Sequence, residues 1–115
     1  MLEEVRPWGR YEVLLDADDC KVKRIWVNPG ARPSYQYHHK RSETWTIITG
    51  TGIVTLDDQE IKVGPGSTVE VPVGIKHRIK NTEESEELVF IEVQHGTYFG
   101  EDDIVRIEDD YKRVQ

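Results

Sequence analysis

Hydrophobic and polar residues alternate with a period of two along most of this chain. The pattern runs through residues 10–15 (RYEVLL), 20–27 (CKVKRIWV), 43–49 (ETWTIIT), 52–56 (GIVTL), 59–63 (QEIKV), 67–72 (STVEVP), 77–80 (HRIK) and 87–94 (ELVFIEVQ). Each run is short and rich in Val, Ile, Thr and aromatics, which predicts β-strands with one buried face. Turn formers separate them: NPG at 28–30, TGTG at 49–52, LDDQ at 56–59, GPG at 64–66 and PVG at 72–74. Many short strands at such even spacing predict an all-β sandwich or small barrel. No long amphipathic helix is visible, although EDDIVRIEDDYKR at 101–113 is compatible with a helical turn.

Length makes this one domain spanning residues 1–115, near the commonest domain size. With 32% charged and 37% hydrophobic residues, the chain has no apolar run approaching the ~20 residues of a spanning helix. No membrane association is expected. The N-terminus lacks the basic-then-apolar order of a secretory signal, and the single Cys20 excludes an internal disulfide. Both agree with a cytoplasmic location. A formal net charge of −7 with dispersed lysines and arginines argues against nucleic acid as a partner. It leaves room for a small anion in a local cationic pocket.

The candidate chemistry lies in SYQYHHKRSETW, residues 34–45. Alternation puts Gln36 and His38 on one face, and Tyr37 and His39 on the other. His39 therefore points away, unless a bulge at His38–His39 exchanges the two. After a turn at 40–42, Glu43 shares a face with Trp45 and Ile47. If the two strands pair as neighbours, Glu43 sits beside His38. His77, after the PVGIK turn, is the natural completing ligand. His38, Glu43 and His77, with the Gln36 amide as a weaker oxygen donor, form a candidate site for one divalent metal ion. Zinc is placed first, with manganese, iron, cobalt and nickel compatible with the same donors. Alternation also groups Phe90, Glu92 and Gln94, which makes Glu92 a candidate proton-transfer residue if that face points inward. Trp8, Trp26 and Trp45 are assigned to the core or a subunit interface.

The stretch from Gly30 through Gln36, His38 and Glu43 to Gly50 resembles the first motif of the cupin superfamily. The stretch from Gly66 through Pro72, Gly74 and His77 to Asn81 resembles the second. The 15 residues between them read as a hairpin, the spacing expected of small cupins. Gln36 stands where most cupins carry a histidine. A narrower resemblance covers nearly the whole chain: RPWGRYEVL at 6–14, CKVKRI at 20–25, residues 27–45, 71–81 and 90–113 look like the cupin domain of type II phosphomannose isomerases, which share that glutamine.

This resemblance implies a small single-domain cupin, a double-stranded β-helix or jelly-roll barrel. It further implies metal-dependent interconversion of mannose 6-phosphate and fructose 6-phosphate, and pairing as a homodimer. Glu92 and Arg106 are then the candidate catalytic residues. Arg106, in EDDIVR, with Lys40 and Arg41 at the barrel mouth, would bind the phosphate of a sugar phosphate. No glycine-rich nucleotide-binding segment precedes the cupin, which is read as standing alone. Lys40 and Thr44 replace histidines usual in the family, and Lys112 replaces a common glycine. A non-haem oxygenase, which uses the same two histidines and carboxylate, and a non-catalytic sugar- or metal-binding cupin are the alternatives.

Overall fold

The structure, a computed structural model, describes residues 2–112. Among these, eleven strands form two antiparallel sheets and no helix occurs. The strands are β1 Leu2–Arg6, β2 Gly9–Asp16, β3 Cys20–Val27, β4 Tyr35–Tyr37, β5 Arg41–Thr49, β6 Gly52–Leu56, β7 Gln59–Val63, β8 Thr68–Val71, β9 His77–Asn81, β10 Leu88–Gly96 and β11 Val105–Glu108. One sheet has the order β1-β2-β3-β10-β5-β8 and the other β11-β4-β9-β6-β7. This is the expected small jelly roll. The inter-motif segment is the predicted hairpin, β6 pairing β7 through Asp57 and Asp58, both at positive φ, as a two-residue turn of primed type requires.

Two local expectations are corrected, and one strand is added. Residues 101–113 hold no helical turn within their described part; Val105–Glu108 instead adds β11 to the edge of β4. The charged LEEVR segment, which has little alternation to read, becomes β1 because it can pair along β2. The second correction concerns the His38–Glu43 approach. β4 pairs with β9 and β11, whereas β5 lies in the other sheet between β10 and β8. His38 and Glu43 therefore meet across a corner where the chain changes sheets, not along a hairpin. The Asp103 carboxylate holds that corner, accepting the amides of His39 and Lys40 at 3.1 and 3.0 Å.

Inward-facing residues change character along the barrel. Successive inward positions read Lys23, Ile25, Val27 on β3, and Glu43, Trp45, Ile47 on β5; on β10, in the opposite direction, they read Leu88, Phe90, Glu92, Gln94. Antiparallel register aligns these gradients, with Val27 opposite Leu88 and Lys23 opposite Glu92. One end is consequently a dry core of Val27, Ile47, Val54, Leu88 and their neighbours. The other is a charged cavity. Asn81 is the polar exception at the dry end. Fully buried, it donates to the Val27 and Glu86 carbonyls at 2.9 and 2.8 Å and accepts the Glu83 amide at 2.8 Å. Asn81→Ala leaves the buried Val27 carbonyl unpaired, at about 1–3 kcal/mol, and breaks two part-buried bonds worth ~1 kcal/mol each. A loss of ~3 kcal/mol or more is expected, read as a lower urea midpoint at unchanged slope.

Candidate metal centre

His38 follows β4 at the sheet corner, Glu43 lies in β5 and His77 opens β9. Gly74, at φ +80° in the turn before β9, donates its amide to the His38 carbonyl at 2.9 Å. That conformation is easy for glycine and costly for other residues, so the turn carrying His77 is tied to the corner carrying His38. One potential ligand atom from each of His38, Glu43 and His77 lies within 4.8 Å of the others, and all three residues are buried. His38 Nε2 is 3.2 Å from Glu43 Oε2, and His77 Nε2 is 3.9 Å from Oε1.

The other ring nitrogens define the tautomers. His38 Nδ1 lies 2.7 Å from the Asp103 carbonyl and His77 Nδ1 lies 2.9 Å from the Ile75 carbonyl. A carbonyl only accepts, so each Nδ1 carries the proton and donates it. Both Nε2 lone pairs then face the Glu43 carboxylate. Three acceptors converging in a buried space call for positive charge; Arg41 supplies part of it, with Nε 3.1 Å from Glu43 Oε2 and a terminal nitrogen 3.4 Å from His38 Nε2, and two imidazoles with a carboxylate suit a divalent transition metal. Burial, the largest influence, pushes the His77 pKa down and favours the neutral ring that a ligand must be. Burial alone would raise the Glu43 pKa; when the Nε2 positions carry protons instead of a metal, the His38 hydrogen bond and the charges of His77 and His38 overcome it and hold the carboxyl well below its ordinary value. Trp45 Nε1 donates to Glu43 Oε1 at 3.0 Å and fixes the carboxylate plane.

Gln36 lines the same cavity and is the cross-strand partner of His77. Glu92 is buried beside the cluster, accepting from Gln94 Nε2 at 2.7 Å. Burial first, and the Glu43 charge second, push its pKa up to about 8. Arg41 is buried, donating from Nε to Glu43 Oε2 at 3.1 Å and from a terminal nitrogen to the Gly100 carbonyl at 3.3 Å. Arg106, opposite Gln36 in the β11–β4 pairing, also lines the cavity. Lys40 does not. It is exposed, with its ammonium 5.2 Å from the Tyr98 ring centre. His39 is exposed on the outside as alternation expects, and Thr44 faces outward, bonded to Glu70 at 3.0 Å. Both departures from the family's histidines thus lie outside the cavity. Lys112 sits at φ +54°, a conformation that explains the family's glycine there and costs a lysine ~1 kcal/mol.

Lys23 was not singled out by the sequence, and the acidic cluster Glu101–Asp103 reads there as solvated surface, yet Lys23, Glu101 and Asp103 all bear on the site. Lys23 was readable. The alternation that buries Ile25 and Val27 puts it on their face, so it was a cation at an inward position. Nothing local showed that Glu101 or Asp103 reaches the site, since they come from an irregular segment between β10 and β11.

Comparison with known proteins places this geometry. The xanthan biosynthesis protein XanB of Xanthomonas campestris pv. campestris strain B100 is 45% identical over 109 residues, 95% of this chain and 23% of XanB. A mannose-1-phosphate guanylyltransferase of Klebsiella pneumoniae is 40% identical over 111 residues, 96% of this chain and 23% of the enzyme. The chain therefore spans about a quarter of the length of these relatives. Among solved structures, an uncharacterized conserved protein from Klebsiella pneumoniae with a double-stranded β-helix domain superposes with a TM-score of 0.78 at 20% identity, over 92% of this chain and 84% of that one, which shows the shared fold. Residues 2–109 match the family model described as mannose-6-phosphate isomerase C-terminal, and the chain belongs to that family of cupin domains from sugar-metabolism proteins.

Proposed function

We propose that this domain interconverts an aldose phosphate and a ketose phosphate, with mannose 6-phosphate and fructose 6-phosphate as the pair. The observation that carries the reading is the convergence of His38, Glu43 and His77 in a cavity that also holds Glu92 and several cations. His38, Glu43 and His77, with Gln36 beside them, would hold a divalent ion. Such an ion supplies Lewis acidity, stabilising negative charge on the oxygens at C1 and C2 of the open-chain sugar.

The remaining steps belong to the chain. Glu92, in its ionised form, takes the proton from C2 of the aldose. The C–H electron pair becomes the C1–C2 double bond of an enediol as the C1 carbonyl oxygen takes up a proton from water, which the C2 hydroxyl returns to water in the next step. Return of the proton to C1, with loss of one from the C2 hydroxyl, gives the ketose and restores Glu92. Arg41 and Arg106 offer positive charge for the phosphate. The apolar wall of Trp8, Trp45 and Phe90 limits water around the reacting carbons.

The test is a coupled assay for fructose 6-phosphate formed from mannose 6-phosphate, on protein stripped of metal and reloaded separately with zinc, manganese, iron, cobalt or nickel. Turnover that returns with metal is the expected result. Metal binding without turnover by any of the five would remove the isomerase reading and favour an oxygenase or a binding module.

A further inference from the structure

Lys23 lines the cavity with 4% of its surface exposed. Its ammonium lies 4.1 Å from the centre of the Tyr11 ring and 3.1 Å from Glu101 Oε2. A buried ammonium needs a compensating anion, and Glu101 supplies it. The two partners are unlike in one respect. Lys23 projects from the middle of a sheet, whereas the Glu101 side chain is 42% exposed and sits in a segment without regular structure. Glu101 can leave for water at little cost; Lys23 cannot.

The place that the Glu101 carboxylate occupies is built for an anion. Burial works against its charge, but Lys23, Arg41 and Lys21 together hold its pKa below the ordinary value. The neighbouring Gly100 carbonyl takes the Arg41 guanidinium at 3.3 Å, so the backbone beside Glu101 rests on a second cation of the cavity. Among the other cavity cations, Arg78 is bonded to the Pro33 carbonyl and Glu108 and Arg6 to Glu4 and Tyr11, Arg41 is bonded to Glu43 and to the Gly100 carbonyl beside Glu101, and Arg106 lines the cavity from β11. The cavity measures about 90 Å³, well under the ~300 Å³ at the low end of small-molecule sites. A sugar phosphate must displace something, and Glu101 is the lining carboxylate with a route to solvent.

We propose that Lys23, with Arg41 beside it, is the phosphate-binding site of the cavity, and that the Glu101 carboxylate is an internal stand-in which the incoming phosphate displaces. Only the identity of the anion as a sugar phosphate rests on the isomerase reading. Displacement exchanges one anion for another on Lys23, so the buried charge is never left uncompensated. A phosphate dianion offers more charge and more acceptor oxygens than a carboxylate, which sets the direction of the exchange.

Inorganic phosphate binding to metal-free protein, followed by calorimetry, separates this from a purely structural ion pair. Glu101→Gln removes the competitor and is expected to tighten phosphate binding by at least ~3-fold, the scale of a partly exposed ion pair. Lys23→Met removes the site and is expected to weaken binding by at least ~10-fold, as loss of a charge-assisted hydrogen bond does. If Lys23→Met does not fold, Glu101→Gln decides alone. Unchanged or weaker binding in Glu101→Gln overturns the proposal, as does an undetectable interaction in both wild type and Glu101→Gln. The expected pattern in a protein without isomerase turnover would leave this site standing while removing the reaction assigned to it.

Discussion

Replacing His77 by alanine is expected to weaken zinc binding by at least ~100-fold and to reduce metal-dependent isomerase turnover to background. Changing a residue that only orients a metal ligand costs 10–100-fold, and removing a ligand outright should cost no less. His77 contributes one of three converging acceptors, with its proton committed to the Ile75 carbonyl at 2.9 Å. Alanine leaves Glu43 and His38, too few donors for a closed set. The fold should survive, because His77 lies at the polar end of the barrel and its nearest rings, His38 and Trp45, are 5.0 and 5.7 Å away centre to centre. Equilibrium dialysis against a zinc-sensitive dye measures the affinity, and circular dichroism checks the fold. Lys40→Ala, changed outside the cavity, is the matched control and should leave affinity unaltered. Wild-type zinc affinity in His77→Ala would place the ion elsewhere.

Alternation was enough to give the inner face of most strands, because one buried face forces a period of two. It correctly grouped Glu43 with Trp45 and Ile47, and Glu92 with Phe90 and Gln94. What it could not give was pairing between strands. Three residues separate β4 from β5, a length that suits a hairpin or a crossing between sheets equally, and only the competition for partners β9 and β11 decides the outcome. For the same reason the convergence of His38 and Glu43 was anticipated through a pairing that the fold does not use. Residues reaching the site from irregular chain were the hardest to read. Asp103 acts through its backbone carbonyl on His38 and its carboxylate on two amides, and neither role leaves a periodic trace. Lys23 differs, since inward alternation marked it. A charged residue on a buried face is unfavourable without a partner, which makes every such position a candidate for function.

Glu92→Gln should lower kcat by ~10²–10⁴-fold with little change in KM, the range for loss of a positioned acid–base group. Glutamine keeps the size of the side chain. Its carbonyl oxygen can still accept from Gln94 Nε2, now 2.7 Å from Glu92 Oε2, and its NH2 can replace the bond Glu92 shares with Glu43. What disappears is the ability to move a proton. A second readout distinguishes that loss from a packing defect. In the metal-free protein, burial and the Glu43 charge raise the Glu92 pKa from its ordinary 4.5 to about 8. Between these values the folded state holds a proton that the unfolded state has released, so stability falls as pH rises through this window and levels off above it. Each unit of difference corresponds to about 1.4 kcal/mol. Glu43 acts in the opposite sense: its lowered pKa stabilises the fold above the ordinary carboxylate range, and that contribution is lost as pH falls. Urea midpoints of the metal-free protein should therefore decline between pH 4.5 and about 8 in wild type and stay nearly level across that window in Glu92→Gln. A variant with the same decline across this window as wild type would show that Glu92 is not the buried proton carrier, whatever its effect on turnover.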